Sequence, residues 1–132
     1  MKLTREQAIK EHRKMWNWLA EHPEKDKGDY LESNDFEYND FEYVENECFL
    51  CHYSQQNEGK YCGEECIIDW GDTDGCIGTT FNLGLYKVYY ELTSLLCNIN
   101  KNSEWGKDIA KGLQLIISHT AKAIAELPEK EG

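Results

Sequence analysis

The segment from residue 103 to residue 128 constrains the fold of this chain most strongly. Ile109, Leu113, Ile116, Ile117, Thr120, Ile124 and Leu127 recur at spacings of 4, 3, 1, 3, 4 and 3, the period of one apolar helix face. Ser103 stands at the N-cap position, Glu104 and Asp108 lie near the positive end of the helix, and Pro128 marks its exit. A helix with so long an apolar face requires other elements to cover it. Gly106 and Gly112 weaken it by roughly 1 kcal/mol each relative to Ala. Close approach of another helix is the use that fits Gly112. His119, near the apolar stripe, reads as an interfacial histidine rather than a general base.

Two further segments supply the cover. Over residues 4–21, Thr4 is placed as an N-cap with Gln7 as its capping-box partner. Ala8, Ile9, His12, Met15, Trp16 and Leu19 form one continuous helical face, which Pro23 closes. Trp18 lies off that face and either packs against the segment that follows or serves a partner. Over residues 83–97, Leu85, Tyr86, Tyr89, Tyr90, Leu92, Thr93, Leu96 and Cys97 make a second broad face, and Asn98, Asn100 and Asn102 form the break. With 132 residues and 15.4 kDa, the chain is long enough for one core of its own. The expectation is a single, mainly α domain, a three-helix bundle of a 4–21 helix and an 83–128 helical hairpin. Between its first and second helices sit an acidic-aromatic segment (24–47) and a small zinc-knuckle or zinc-ribbon-like module (48–80).

The module rests on cysteine spacing. Cys48-Phe-Leu-Cys51 and Cys62-Gly-Glu-Glu-Cys66 are separated by ten residues. Such pairs can each place two thiolates on one zinc ion, the second pair one helical turn apart. In a reducing compartment, clustered cysteines at this spacing point to metal rather than disulfides. Cys48, Cys51, Cys62 and Cys66 are the simplest ligand set, with Cys76 and His52 as substitutes. Four sulfurs leave no open position for water, so the zinc is structural. Cys48-x-x-Cys51-His52 also matches covalent haem attachment, but that chemistry needs export, and no export signal is visible. No strand-helix-strand pattern surrounds the motif to suggest a thioredoxin-like site.

The net charge of −11 is concentrated in the middle of the chain. Residues 24–76 hold sixteen acids against three bases, residues 1–23 three against five, and residues 77–132 six of each. The −13 segment repels phosphates, which argues against nucleic acid and for a partner with a basic surface. Within it Asn34-Asp-Phe-Glu-Tyr38 is repeated at once as Asn39-Asp-Phe-Glu-Tyr43, too short a period for a solenoid. An extended chain there would place acids and aromatic rings on opposite edges. Asp35, Phe36, Glu37, Tyr38, Asp40, Phe41, Glu42 and Tyr43 are therefore the candidate partner-binding residues. Gly71-Asp-Thr-Asp-Gly75 lacks both the closing Glu of a calcium loop and the Lys of a phosphate loop. No apolar run approaches a membrane span and no signal-peptide stretch follows the basic N-terminus, so a cytoplasmic protein is expected. Nothing in the pattern singles out catalytic residues, and a non-enzymatic role is expected.

The segment Thr4-Arg-Glu-Gln-Ala-Ile-Lys-Glu-His-Arg-Lys-Met-Trp16-Asn-Trp18, taken with Cys48-Phe-Leu-Cys51, Cys66-Ile-Ile-Asp-Trp70-Gly and Ala123-Ile-Ala-Glu-Leu-Pro128, resembles small uncharacterised zinc-binding proteins of phages and prophages of Gram-positive bacteria. In that set the second half-site is usually Cys-x-x-Cys followed by Pro, whereas this chain has Cys62-x3-Cys66 followed by Ile67. The resemblance implies a phage accessory protein in the host cytoplasm and carries no established activity. Combined with the acidic middle, it suggests a binder and inhibitor of a basic host protein, of anti-defence or anti-CRISPR type, by mimicry of nucleic-acid charge. The competing expectation is a zinc-module regulator that binds nucleic acid through its mildly basic first helix.

Overall fold

The computed structural model describes residues 3–33, 35–36, 48–58, 66–71, 76–78 and 83–130. Among them are five helices: α1 Arg5–Glu21, α2 Lys27–Glu32, α3 Phe49–Glu58, α4 Leu85–Asn98 and α5 Glu104–Ala125. The described residues form no strand beyond isolated bridges. The mainly helical class and the three long helices agree with the sequence pattern, and α2 and α3 are additions to it. No helix among the described residues is long and apolar enough to cross a membrane.

Helix α1 starts where its capping box predicts. The Thr4 hydroxyl accepts the Gln7 amide at 3.1 Å, and the Gln7 side-chain oxygen accepts the Thr4 amide at 2.9 Å. All six residues of its predicted face are buried, joined by Glu11. This face lies antiparallel on α5. Arg13 donates to the Leu127 carbonyl at 3.2 Å, Lys122 to Asn17 Oδ1 at 2.8 Å, and Ser118 to the Ala20 carbonyl at 2.5 Å. Trp16 extends the contact to α4, meeting Tyr89 and Tyr86 edge-on with ring centroids 4.8 and 6.1 Å apart.

Helix α5 buries Ala110, Leu113, Ile117, Thr120, Ala121, Ile124 and Ala125. Ile109 and Ile116, placed in its apolar stripe by sequence, are instead 45 % and 50 % exposed. The stripe is wider than the arc that α1 and α4 cover, so its outer edge faces solvent. In α4 the same reason leaves Tyr90 and Cys97 exposed while Tyr89 and Leu96 are buried. His119 is exposed as well, which removes the expected interfacial role.

The two α5 glycines also exchange meanings. Among the described residues, a Cβ on Gly112 would meet nothing within 4 Å, so no described helix approaches it closely. A Cβ on Gly106 would fall 1.7 Å from the Asn100 carbonyl oxygen and 2.7 Å from Ser103 Oγ. Ser103 caps α5 by accepting the Gly106 amide at 3.0 Å, which draws the tight α4–α5 turn onto that residue.

The inserted segment is tied down at both ends. Pro23 ends α1, and α2 follows at once, capped by the reciprocal Asp26–Asp29 box. Aromatic rings run from Trp18 to Tyr30, Phe36 and Phe49 with successive centroids 5.5, 5.8 and 5.6 Å apart. Trp18 therefore packs against the middle segment, one of the two alternatives its position allows. At the other end the 67–69 backbone pairs antiparallel with the C-terminal tail, Asp69 N–H to the Pro128 carbonyl at 2.9 Å and Lys130 N–H to the Ile67 carbonyl at 2.8 Å.

Gly106→Ala is expected to cost about 1–3 kcal/mol, because either the turn or the helix start must move. Chemical denaturation measures it, and an unchanged midpoint would show that the Asn100 carbonyl can move aside freely.

Candidate functional site

Cys48 sits at the N-terminal end of α3, and its sulfur accepts the Cys51 amide at 3.4 Å. The Cys-x-x-Cys spacing here is a first helical turn, which holds the two sulfurs together. A hydrogen bond with the Cys51 side chain and burial push the Cys48 thiol well above its usual range. Cys51 is buried, and Cys48 and His52 are half-buried.

Cys66 is buried, and its sulfur accepts the Trp70 indole N–H at 3.2 Å. N–H donors to sulfur, as at Cys48 and Cys66, are the outer-shell bonds that favour thiolate ligands and orient them. Half-buried Cys76 acts through its backbone, its carbonyl accepting the Tyr86 and Lys87 amides at the start of α4. Cys62 lies outside the described residues. Among those that are described, no three His, Cys, Asp or Glu side chains converge as a metal site. The structure thus pairs Cys48 with Cys51 and does not bring Cys66 into a group with them.

Of the candidate partner-binding residues, Asp35 and Phe36 are described, while Glu37, Tyr38, Asp40, Phe41, Glu42 and Tyr43 lie outside the described residues. Phe36 is buried between Tyr30 and Phe49. Asp35 is exposed, and its carboxylate accepts the Trp18 indole N–H at 2.9 Å. The same segregation holds upstream. Glu24, Asp26, Asp29 and Glu32 are exposed, whereas Tyr30 is fully buried.

Sequence reasoning missed the polar centre beneath this segment. Glu11 is fully buried and accepts the Tyr30 hydroxyl at 3.2 Å. Its neighbour His12 is 1 % exposed, packed edge-on against Trp70 with centroids 6.2 Å apart. Among the described residues, neither ring nitrogen of His12 has a partner in hydrogen-bonding geometry. Burial lowers its pKa to about 4, with the nearby Ile124 carbonyl opposing the shift and Arg13 adding to it. The signal for Glu11 was legible, since Ala8, Glu11 and Met15 are spaced by 3 and 4. His12 and Trp70 also link the centre to Cys66, through the ring contact and the indole–sulfur bond.

Comparison of the chain with known protein families, curated proteins and solved structures gives no match.

His12 makes stability pH-dependent. Its folded pKa of about 4 lies below the ordinary 6.5, so the unfolded chain takes up a proton first as pH falls. Stability should decline between pH 6.5 and 4, by on the order of 3 kcal/mol from this residue. Denaturant unfolding of the wild type and His12→Leu at pH 7 and pH 4.5 isolates the effect. Equal pH dependence in the two proteins would refute it.

Proposed function

We propose that this protein is a zinc-stabilised phage accessory protein that binds a basic host protein and thereby inhibits it, in the manner of anti-defence or anti-CRISPR factors. The observation that carries the reading is the separation of charge from aromatic surface at the start of the acidic segment. All five acids among the described residues 24–36 are exposed, while Tyr30 and Phe36 are buried beneath them. The acids therefore project from a base held by edge-on and tilted aromatic rings, and the remaining acids bring residues 24–76 to −13. An array of this sign attracts surfaces built for phosphate, speeds encounter with them, and repels nucleic acid itself.

The zinc belongs to the scaffold in this reading. Cys48, Cys51, Cys62 and Cys66 would hold it, and a divalent ion would relieve the crowding of the Cys48 and Cys51 thiols by replacing their protons. A closed sulfur shell supplies cross-linking and no reactive water, which fits a binding protein rather than an enzyme. The nucleic-acid alternative relies on the basic residues of α1, two of which are engaged within the chain. Arg5 pairs with Glu129 at 2.9 Å, and Arg13 reaches the Leu127 carbonyl.

Affinity purification from host lysate with mass spectrometry is expected to recover a specific basic protein. Neutralising Asp35, Glu37, Asp40 and Glu42 to Asn or Gln should abolish its capture, and undiminished capture would overturn the reading. Elemental analysis should find one zinc per chain, and X-ray absorption a shell of four sulfurs. Cys48→Ser should lose the metal. A zinc-free wild type, or a shell containing oxygen, would exclude the closed site.

A further inference from the structure

Among the described residues, helix α1 covers the helical hairpin of α4 and α5 on one side. Helix α1 meets α4 through Tyr86 and Tyr89, and meets α5 through Ser118. At about 100° per residue, Leu95 stands half a turn round α4 from Tyr86, and Ile109 stands half a turn round α5 from Ser118. Both therefore lie on the side away from α1. On that side Trp105, Ile109, Gly112 and Ile116 follow one another at spacings of 4, 3 and 4 along α5, a straight helical stripe. Trp105 is 59 % exposed, Ile109 45 %, Ile116 50 % and Leu95 53 %. Half-buried Val88 adjoins Leu95 on α4.

We infer that this bare face of the α4–α5 hairpin is the interface of a homodimer, in which the α5 stripe of one copy packs against the α5 stripe of the other. Two features select a second copy over other occupants. The first is charge. Residues 85–126 carry five bases and four acids, whereas residues 24–76 carry −13. Two chains of net charge −11 repel each other at the acidic segment and can meet without that cost at the near-neutral hairpin. Its charges are partly matched within the chain already, Lys87 with Glu91 at 2.9 Å and Lys122 with Glu126 at 3.7 Å. Two of its four acids are thus already paired with lysines of the same chain.

The second feature is area. Trp105, Ile109, Ile116 and Leu95 together expose about 400–500 Å² of largely apolar surface, the size of the largest patch on an ordinary monomer. Doubled about a two-fold axis this becomes roughly 900 Å², close to the 1,000 Å² at which specific association begins, before any polar rim is added. A two-fold axis would set the same stripe of each copy against the other, as an isologous interface requires. Gly112 lies within the stripe, where, among the described residues, nothing outside its own helical turn comes within 4 Å of a Cβ position. The close helix approach that its glycine permits is available to the second copy.

Light scattering coupled to size exclusion tests the dimer on the full chain at about 100 µM, well above a micromolar dissociation constant. The expected mass is twice the 15.4 kDa of one chain. Ile109→Glu/Ile116→Glu should yield the single-chain mass with unchanged far-ultraviolet circular dichroism. Lys111→Glu, an equal change of charge off the stripe, should remain dimeric. Should the double variant fail to fold, Trp105→Ser replaces it, with an expected loss of at least tenfold in dimer affinity. A single-chain mass for the wild type overturns the inference, as does a dimer that survives the stripe substitutions.

Discussion

The antiparallel seating of α1 on α5 is the contact on which everything else depends. It joins two helices from opposite ends of the sequence, and three side chain to partner bonds, from Arg13, Lys122 and Ser118, fix their register. The same face of α1 carries Trp16 against α4 and Glu11 against Tyr30 of the insert. Each additional element thus docks on a surface that this pair creates. Burying Glu11 and His12 there is unfavourable in itself. The Glu11–Tyr30 bond and the neutral state of His12 make it tolerable.

The insert between α1 and α4 is long and highly charged, yet its described parts are fastened at both ends. The ring series from Trp18 to Phe49 anchors the entry, and the pairing of residues 67–69 with the C-terminal tail anchors the exit. Arg5 reaches the same tail through Glu129 and the Lys130 carbonyl. Leu3, just before α1, is held to α3 through mutual hydrogen bonds with the Gln56 side chain. These tethers set Cys48, Cys51 and Cys66 on the common core.

Much of this was legible in sequence because it is local. The Thr4–Gln7 box, the Ser103 cap and the six-residue face of α1 follow from spacing alone, since capping and periodicity involve residues within a turn or two of each other. Helix α2 was missed although Asp26 and Asp29 formed a readable box, because acids and aromatics obscured any period over six residues. For the candidate site, the Cys48–Cys51 pairing was readable. The Trp70 bond to Cys66 and the burial of Phe36 were not, because each depends on which surface the segment meets.

The sequence by itself determined the helical class, the ends of the long helices and the location of the charge, all properties of neighbouring residues. Only the tertiary structure decided which part of each apolar stripe is covered. Ile117 and Ile116 are adjacent and equally hydrophobic, yet one is fully buried and the other half exposed. Gly106 and Gly112 look alike in sequence, yet one fits beneath a carbonyl and the other faces open space. Periodicity marks a face as apolar, but the number and placement of the helices packed against it set how much of that face leaves water.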